Sequence, residues 1–588
     1  MKKIMFDKLK LSLAEEIHQG LENRWPDSGM NIEAIYQLLV LPPQKDMGHL
    51  AWGVFPLAKS LKLAPPIIAQ QLAEVLKDRK GPLFSEVQSV GPYVNFFFSG
   101  EVLTQKIILE ILNPQESRQF LFDTPPRTMV EFSQPNTHKE LHVGHMRNAC
   151  LGDALVRLFR FAGFPVISTT FPGDVGTHVA KCLWYLKFHN QEPIPVSQRG
   201  EWLGKMYSQA HLLLETHVGT PEEAKNREAL TTILKEIESK SGDYFELWKE
   251  TRQWSIDLMN QVYQWCDIRF DHWYWESDVD SDSVQTIKKY YAEGRLVQSE
   301  GAIGMDLSEE NLGFCVLLKT DGNGLYSTKD IELARRKFQD HHIEKSVYVV
   351  DMRQALHFKQ VFATLKRLNF EQADQCFHLQ YNFVELPDGA MSSRKGNIVP
   401  LTELIQQMEN HVKVNYLNKY ISEWTPEEIN STARIIAQGA IKYGMVRMDP
   451  NKKIVFNMAE WLQLDGESGP YIQYAYARCQ SVLRKFQQDI RVDSLGKTLS
   501  HSSELLLMVL LGQLKSVVSQ AVESYRPNVV CNYLYEVAKH FSHFYHECSI
   551  GHAESEAIKQ DRLMLTQATA LILKQGLGLI GIPVPEKM

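Results

Sequence analysis

Two histidines, separated by a valine and a glycine, follow a β-rich run and open a helical pattern. They are His142 and His145, with Val143 and Gly144 between them. The first turn of a helix offers backbone N–H groups and the positive end of the helix dipole to an anion, typically a phosphate. Gly144 lets a base or a phosphate approach the backbone closely. Imidazoles placed there can hydrogen-bond a phosphate as charge develops, so we predict that His142 and His145 assist phosphoryl or nucleotidyl transfer.

The same tetrapeptide has two other interpretations. It can occur by chance at the start of a helix, without a functional role. Two histidines can also ligate zinc, but a spacing of three residues disfavours that interpretation here. We therefore expect no metal ion bound by these side chains.

A second candidate segment runs from Ala390 to Gly396, about 250 residues downstream. Its small residues favour a flexible loop. The basic pair within it, Arg394 and Lys395, is suited to clamp the β- and γ-phosphates of a nucleotide through charge-assisted hydrogen bonds. Taken alone, the heptapeptide also fits an ordinary basic turn.

The elements that position the first motif form a β-α-β pattern. Residues 127–133 are β-rich, apolar residues recur at helical spacing over 151–162, Gly163 fits the position after a helix end, and residues 165–171 read as a second strand. A strand, a crossover helix and a second strand predict a parallel sheet. A polar, mostly helical insertion follows at about 188–282, and the α/β pattern resumes near Gly301, with 345–351 as a buried strand.

The regions on either side differ in character. Residues 1–115 predict a small α+β unit, with a helix over 67–76 opened by two prolines and a strand over 90–98. Residues 401–588 show helical periodicity, most plainly at 505–514 and 533–545. We predict a multidomain α/β protein in which a Rossmann-type catalytic domain at 116–400 carries the insertion and lies between the N-terminal domain 1–115 and an all-α C-terminal domain 401–588.

Composition limits the class of protein. The 588 residues exceed one ordinary domain, and 44% hydrophobic with 23% charged residues is typical of a globular chain. Net charge is -7, so charge alone does not indicate a nucleic-acid partner. Eight cysteines without CxxC spacing indicate reduced thiols. The start of the chain lacks a signal-peptide pattern, and the apolar run 505–511 falls short of the ~20 residues that span a bilayer. We expect a cytoplasmic protein without membrane contact.

The combination of the two motifs resembles the two signatures of class I aminoacyl-tRNA synthetases. Other segments are similar to the arginyl-tRNA synthetase family, and the similarity extends over essentially the whole chain. The segments that carry it are 130–136, Lys139, 173–177, 325–330, Gln354, 469–478 and 585–588.

The resemblance implies ligation of L-arginine to tRNA(Arg) with ATP and Mg²⁺, and activation that requires bound tRNA. We expect a monomer, because the chain has its own predicted tRNA-binding domains. The resemblance assigns catalysis to the first signature and to the loop 390–396. Ala390 stands in this loop where the general pattern has a lysine, and Lys139, just before the first signature, is placed to supply the missing positive charge. The catalytic residues are His142, His145, Lys139, Arg394 and Lys395. The ATP-binding residues are Val143, Gly144, Gly173, Asp174, Met391, Ser392 and Ser393. The tRNA-binding residues are Asn95, Phe98, Arg478, Arg484 and Lys485.

The chemistry of the guanidinium group determines which residues can select arginine. A guanidinium has five donors and no acceptor, so its pocket needs carboxylate and carbonyl oxygens placed for a planar fork. Tyr326 and Asp330 are four residues apart and share one face of a helix. The resemblance implies that Asp330 pairs with the guanidinium, with Tyr326 beside it. The full set implied to bind arginine is Glu131, Asn136, Tyr326, Asp330 and Gln354.

Three rival functions remain to be tested. Another nucleotidyltransferase with an HxGH site is usually shorter and lacks a large helical C-terminal domain. A non-catalytic tRNA-binding paralogue would be expected to have lost some of the site residues, and His142, His145, Asp330 and the loop motif are intact. The third rival is a sibling synthetase for a different amino acid, and against it we expect Asp330→Ala to cripple arginine use far more than ATP binding.

Overall fold

The N-terminal part of the chain is a small α+β unit. The computed structural model describes residues 5, 7–78, 83–113, 121–385, 400–486 and 496–588. The elements of this first unit are α1 (Lys8–Arg24), α2 (Ile32–Leu38), β1 (Leu39–Val40), β2 (Leu50–Gly53), α3 (Phe55–Leu61), α4 (Pro65–Asp78), β3 (Glu86–Val90), β4 (Tyr93–Phe97), α5 (Gly100–Leu103) and α6 (Leu109–Leu112). The strands form one antiparallel sheet in the order β1-β2-β4-β3.

Both elements predicted for this unit are present. The predicted helix over 67–76 is confirmed by α4, which begins with the two prolines in its first turn. The predicted strand over 90–98, with Gly91 and Pro92 at its entry, is confirmed by β4, but it begins at Tyr93, and Val90 belongs to the preceding strand β3. Gly91 has a positive φ of 56° and reverses the chain, so that β3 and β4 form a hairpin.

The middle of the chain alternates strands and helices. Its elements are β5 (Thr128–Glu131), α7 (Val143–Phe161), β6 (Val166–Thr170), α8 (Thr177–Phe188), α9 (Arg199–Thr216), α10 (Pro221–Glu238), α11 (Asp243–Cys266), β7 (His272–Trp273), α12 (Glu276–Ala292), β8 (Val297–Ser299), β9 (Ala302–Leu307), β10 (Gly313–Leu318), α13 (Tyr326–His341), β11 (Lys345–Asp351), α14 (Ala355–Arg367), β12 (Cys376–Tyr381) and β13 (Val384–Glu385). A three-stranded antiparallel sheet, β10-β9-β8, lies apart from the main sheet.

The main sheet is parallel, as predicted. Its order is β12-β11-β5-β6-β7, and each neighbouring pair is parallel. The crossover helix α7 leads from β5 to β6 and ends at Phe161, followed by the cap residue Ala162 and by Gly163 with a φ of 95°. β6 lies on one side of β5 and β11 on the other, so the strand order changes direction at β5.

The helical insertion ends earlier than expected. The helices α9, α10 and α11 confirm its helical character. However, His272 and Trp273 form β7, which pairs with β6 and therefore belongs to the main sheet. The chain has therefore returned to the main sheet before residue 282. The sequence did not predict this strand, because two residues are too few to show a periodic pattern.

Helices dominate the C-terminal part of the chain, as predicted. Its elements are α15 (Leu401–Val412), α16 (Pro426–Val446), β14 (Ile454–Val455), α17 (Met458–Trp461), α18 (Gly469–Phe486), α19 (Ser502–Leu511), α20 (Leu514–Ser524), α21 (Asn528–Glu547) and α22 (Glu556–Leu579). The predicted helix over 505–514 is split, since α19 ends at Leu511 and α20 starts only at Leu514. Among the described residues, no single helix is long and apolar enough to cross a membrane, and α19 with α20, bent by 43°, passes that test only as a pair.

Candidate active site

The carboxyl ends of β5, β6 and β11 meet at one edge of the parallel sheet. Asn148 of α7 holds two of them together: its Oδ1 accepts the Ser133 N–H over 2.6 Å, and its Nδ2 donates to the Val349 carbonyl over 3.0 Å. The loops after β5 and β6 are joined as well, because the Thr137 N–H donates to the Gly173 carbonyl over 2.9 Å. Open parallel sheets bind ligands at the edge where the strand order changes direction. We call this edge the candidate site.

The histidine pair lies at the start of α7. His142 is the residue that precedes the helix, and its Nδ1 accepts the Gly144 N–H over 3.1 Å. The Nδ1 atom of His145 accepts the His142 N–H, also over 3.1 Å, and the two ring centroids are 3.9 Å apart. Because both Nδ1 atoms are acceptors, the hydrogen of each neutral ring is on Nε2. The pair therefore presents two N–H donors.

Both imidazoles are neutral at physiological pH. Burial of the ring, with the positive charges of Arg353 and Lys139, lowers the pKa of His142 to about 4. Burial and the neighbouring His142 lower the pKa of His145 well below its ordinary value. The pair acts through hydrogen bonds and not as a fixed positive charge.

Tyr326 and Asp330 lie in the first turns of α13, so the predicted helix that carries both is confirmed. Tyr326 is 64% exposed. Asp330 is partly buried, and its Oδ2 lies 2.5 Å from Nε2 of His357 on α14. Gln354 is exposed in the short turn that leads from β11 into α14, three residues before His357.

A chain of polar contacts links this pocket to the loops after β5 and β6. A side chain at Gly173 would place its Cβ 2.3 Å from Asn136 Oδ1 and 3.3 Å from Glu276 Oε1, so only glycine fits there. Nζ of Lys329 lies 3.2 Å from the Glu276 carboxylate and 3.1 Å from that of Asp280. Burial raises the pKa of Glu276 to about 7, although the charge of Lys329 opposes that rise. Asn136, Gly173 and the α13 residues are thus brought together.

Glu131, which the resemblance assigns to arginine binding, has partners within the protein. It is buried at the end of β5, its carboxylate is paired with Lys337 of α13, and Gln134 Nε2 donates to its Oε1 over 3.1 Å. Lys337 is itself fully buried and lies 3.8 Å above the ring of Tyr348. The charge of Glu131 is therefore already balanced within the protein, and the partly exposed Gln134 contacts it.

The side chains of Asp174 and Val143, two of the residues predicted to bind ATP, are buried. Asp174 is fully buried: its Oδ2 accepts from Arg252 Nε and from the Ser277 hydroxyl, both over 2.7 Å, and its Oδ1 accepts the Ser277 N–H over 2.9 Å. Val143 is fully buried in the core. The hydrogen bonds of Asp174 join the loop after β6 to α11 and α12. No part of the Asp174 side chain is exposed to a ligand.

Replacing Asp174 with asparagine should lower the free energy of unfolding by about 3–5 kcal/mol, because Arg252 loses the charge that compensates its burial. Urea denaturation followed by circular dichroism measures this loss. The exposed Asp278 on α12 offers a control, and Asp278→Asn should leave stability unchanged. An Asp174→Asn protein of normal stability with a raised KM for ATP would instead support a direct nucleotide contact.

The remaining residues near the histidine pair are cationic or small. Lys139 is partly buried, and its Nζ lies 5.2 Å above the ring of Tyr207 of α9. A Cβ at Gly144 would lie 2.9 Å from the His142 ring, so the glycine leaves room for the imidazole. Pro400, the first described residue after the loop motif, forms a bridge with His142. The loop residues Met391, Ser392, Ser393, Arg394 and Lys395 lie outside the described residues.

Sequence reasoning missed several residues at this edge. His178 Nε2 donates to the Gly173 carbonyl over 3.3 Å, and burial lowers the pKa of that ring well below its ordinary value. Arg353 pairs with Asp351 at 2.8 Å and adds positive charge near His142. His178 directly follows the segment 173–177, and Arg353 directly precedes Gln354. Their positions next to these segments are the sequence feature from which a role at the site could have been predicted.

The two predicted tRNA contacts in the N-terminal unit are covered by protein. Phe98 is 1% exposed, its N–H donates to His49 Nδ1 over 2.9 Å, and Asn95 is also buried. That these two side chains bind an unstacked base stays a prediction. Phe55, at the start of α3, and Tyr93 of β4 are 53% and 38% exposed, and their rings lie edge to face with centroids 5.6 Å apart.

The three basic residues of α18 differ in their surroundings. Arg478 hydrogen-bonds the Tyr474 hydroxyl, and its guanidinium lies 4.7 Å from that ring and 5.2 Å from the ring of Tyr545. Arg484 is half exposed and donates to the Glu586 carbonyl over 3.0 Å. Lys485 is exposed. All three residues belong to α18, but only Arg484 and Lys485 lie in its last turn.

Three family models match consecutive parts of the chain. "Arginyl tRNA synthetase N terminal domain" matches residues 7–98, "tRNA synthetases class I (R), catalytic domain" matches 108–458, and "DALR anticodon binding domain" matches 472–588. The catalytic match extends well past residue 400, where we placed the domain boundary.

Individual proteins resemble the chain over its full length. An arginine–tRNA ligase of Bdellovibrio bacteriovorus is 54% identical, covering 100% of both chains. One of Clostridium botulinum is 33% identical over 98% of this chain and 99% of its own. The solved arginyl-tRNA synthetase of Thermus thermophilus superposes with a TM-score of 0.78, at 27% identity, and covers 98% of this chain and 99% of its own. With the histidine pair after β5 of the parallel sheet and Tyr326 and Asp330 together on α13, the chain belongs to the arginyl-tRNA synthetase family of class I aminoacyl-tRNA synthetases.

Proposed function

We propose that the chain ligates L-arginine to tRNA(Arg) in two steps. A carboxylate oxygen of arginine attacks the α-phosphorus of ATP, and pyrophosphate leaves, which gives arginyl-adenylate. The 3′-terminal ribose hydroxyl of tRNA then attacks the arginyl carbonyl carbon, and AMP leaves. The observation that carries this proposal is the neutral histidine pair at the start of α7, directly after strand β5 of the parallel sheet. Tyr326 and Asp330 together in the first turns of α13 support the choice of arginine.

The nucleotide side of the reaction is assigned to the start of α7. His142 and His145 donate from Nε2 to phosphate oxygens, and their neutral rings need no proton transfer to do so. Lys139 and the loop residues Arg394 and Lys395 add positive charge, which suits a polyphosphate. The loop rejoins the described chain at Pro400, next to His142. Lys139 and Arg353 are cations and do not fit a bare Mg²⁺ ion, so we propose that Mg²⁺ arrives on the phosphates of ATP as part of the substrate.

The arginine side is assigned to α13 and the loops that it contacts. Asp330 accepts the guanidinium, Tyr326 forms a wall beside it, and Gln354 and Asn136 contact the rest of the amino acid. Glu131 acts through its buried pairing and through Gln134. Lysine presents a point charge that cannot match a carboxylate in the two-pronged way of a guanidinium. Buried polar groups left unpaired discriminate by about 10⁴ or more, so no editing site is needed.

The tRNA side is assigned to α18 and to the N-terminal unit. Arg478, Arg484 and Lys485 of α18 are proposed to contact phosphates of the anticodon arm. In the N-terminal unit, the exposed rings of Phe55 and Tyr93 offer a stacking surface that the buried Asn95 and Phe98 do not. We further propose that activation requires bound tRNA, that the enzyme is a monomer, and that it is cytoplasmic, which its eight unpaired cysteines support.

Arginine-dependent exchange of pyrophosphate into ATP tests the function directly. The purified chain should catalyse exchange with arginine when tRNA(Arg) is present, and lysine should give none. Exchange with arginine in the absence of tRNA would confirm the ligase chemistry but overturn the tRNA requirement. Tight tRNA binding without exchange for any amino acid would identify a non-catalytic paralogue instead.

A further inference from the structure

The carboxylate assigned to the guanidinium already has an imidazole partner. His357 Nε2 lies 2.5 Å from Asp330 Oδ2, and the two side chains are only 24% and 14% exposed. His357 lies on α14 and Asp330 on α13, so the contact joins two helices. A single oxygen of the proposed arginine pocket is thus held by a group that can itself carry a positive charge.

The charge of His357 decides how attractive Asp330 is to a cation. A neutral imidazole donates Nε2–H to the carboxylate and leaves the pair with one negative charge. A protonated imidazole makes an ion pair and leaves the pair neutral. A guanidinium is therefore bound more weakly by the protonated state, because two cations then share one carboxylate.

Tyr348 on β11 also faces Asp330, but burial raises the pKa of its hydroxyl well above its ordinary value, so that it stays neutral. Three further ionisable groups near His357 and Asp330 are engaged with their own partners. On β12, His378 Nε2 lies 3.0 Å from the Val350 carbonyl, and burial lowers its pKa, so that it is neutral. On α13, Lys329 binds Glu276 of α12 and Asp280. On β11, Asp351 binds Arg353. Asp330 is the group that sets the charge of His357: burial opposes protonation, but the hydrogen bond and negative charge of Asp330 outweigh it and raise the His357 pKa.

We propose that His357 is the positioning residue of the arginine pocket: it holds Asp330 through Nε2–H, and it gives up its second ring proton when the guanidinium of L-arginine binds. The proposal rests on the function assigned to Asp330 above. By linkage, arginine affinity falls as pH drops below the His357 pKa, by about tenfold per pH unit, and is constant above it. Arginine binding in that range releases a proton.

Isothermal titration calorimetry of L-arginine into the full-length chain measures this proton. At a pH of about 6.5, near the ordinary histidine value, the titration is run in two buffers with different ionisation enthalpies. The difference in binding enthalpy gives the number of protons released. The wild-type chain should release a substantial fraction of one proton, and its Kd should improve as pH is raised to about 8.

Glutamine variants identify the source of the proton. In His357→Gln the amide can still donate to Asp330 but cannot titrate, so arginine should bind without proton release and with a Kd that is independent of pH. Glu276 is the other group near Asp330 that titrates in this range, with a pKa of about 7. Glu276→Gln should still release the proton. His552→Gln, at an exposed position in the C-terminal part, should behave as wild type.

Three results would overturn the proposal. Wild-type binding without proton release would show that His357 does not titrate against arginine, and this result requires no variant to fold. Unchanged release in His357→Gln, or loss of release in Glu276→Gln alone, would assign the proton to another group. If the wild-type chain binds no arginine, the function assigned to Asp330 fails and this inference fails with it.

Discussion

Replacing His142 with asparagine should lower the kcat of arginine-dependent pyrophosphate exchange by about 100- to 1,000-fold, the usual loss when one donor to a transition-state oxyanion is removed. Asparagine is a good residue at the position before a helix, and its Oδ1 can accept the Gly144 N–H as Nδ1 of His142 does. The variant therefore keeps the helix start and loses the Nε2–H donor. Arginine affinity, measured by calorimetry, should not change.

The chain contains a matched control for this variant. His501 occupies the equivalent position before α19, where its side chain accepts the Ser503 N–H over 3.3 Å. His501→Asn should leave the exchange rate unchanged. If His142→Asn exchanges pyrophosphate at the wild-type rate, the pair is only a helix cap. Because the pKa of His142 is lowered to about 4, its titration should also leave no inflection in kcat/KM for ATP between roughly pH 6 and 8.

Replacing Asp330 with asparagine should raise the KM for arginine about 100- to 1,000-fold, which corresponds to about 3–4 kcal/mol for losing one partner of a largely buried charged contact. The side chain keeps its size, so the pocket keeps its shape. The KM for ATP should stay close to the wild-type value, because the nucleotide is assigned to the start of α7. Steady-state exchange kinetics at varied arginine and varied ATP separate the two effects.

Citrulline and a second aspartate sharpen this test. Citrulline matches arginine in size but lacks the positive charge, so Asp330→Asn should weaken arginine far more than citrulline. Asp340 lies exposed near the other end of α13, and Asp340→Asn should leave arginine kinetics unchanged. Unchanged arginine kinetics in Asp330→Asn would show that the guanidinium binds elsewhere.

Patterns within one element were read correctly from the sequence. The histidine pair at the start of a helix, the β-α-β unit around α7 and the shared helix of Tyr326 and Asp330 all depend on residues a few positions apart. Local periodicity and helix-end chemistry are set by such short spacings. The hairpin at Gly91 and the strand β7 were missed because one glycine and two residues leave too weak a pattern.

Roles that depend on distant partners were decided by the tertiary structure. Asp174 is held by Arg252, 78 residues away, and Glu131 by Lys337, 206 residues away, so both carboxylates are buried and compensated within the protein. Phe98 packs under His49, and the exposed rings are Phe55 and Tyr93 instead. The neutral state of the histidine pair and the contact of His357 with Asp330 likewise follow from burial and from helix packing.

The amino-acid sequence by itself determined the family, the parallel sheet and the two groups of residues assigned to the site, because each is encoded in short motifs that keep their order along the chain. Only the tertiary structure decided which of those side chains face a ligand and which stabilise the fold, and what charge each one carries. Exposure and pKa depend on everything packed around a group, and most of those neighbours come from residues far away in sequence.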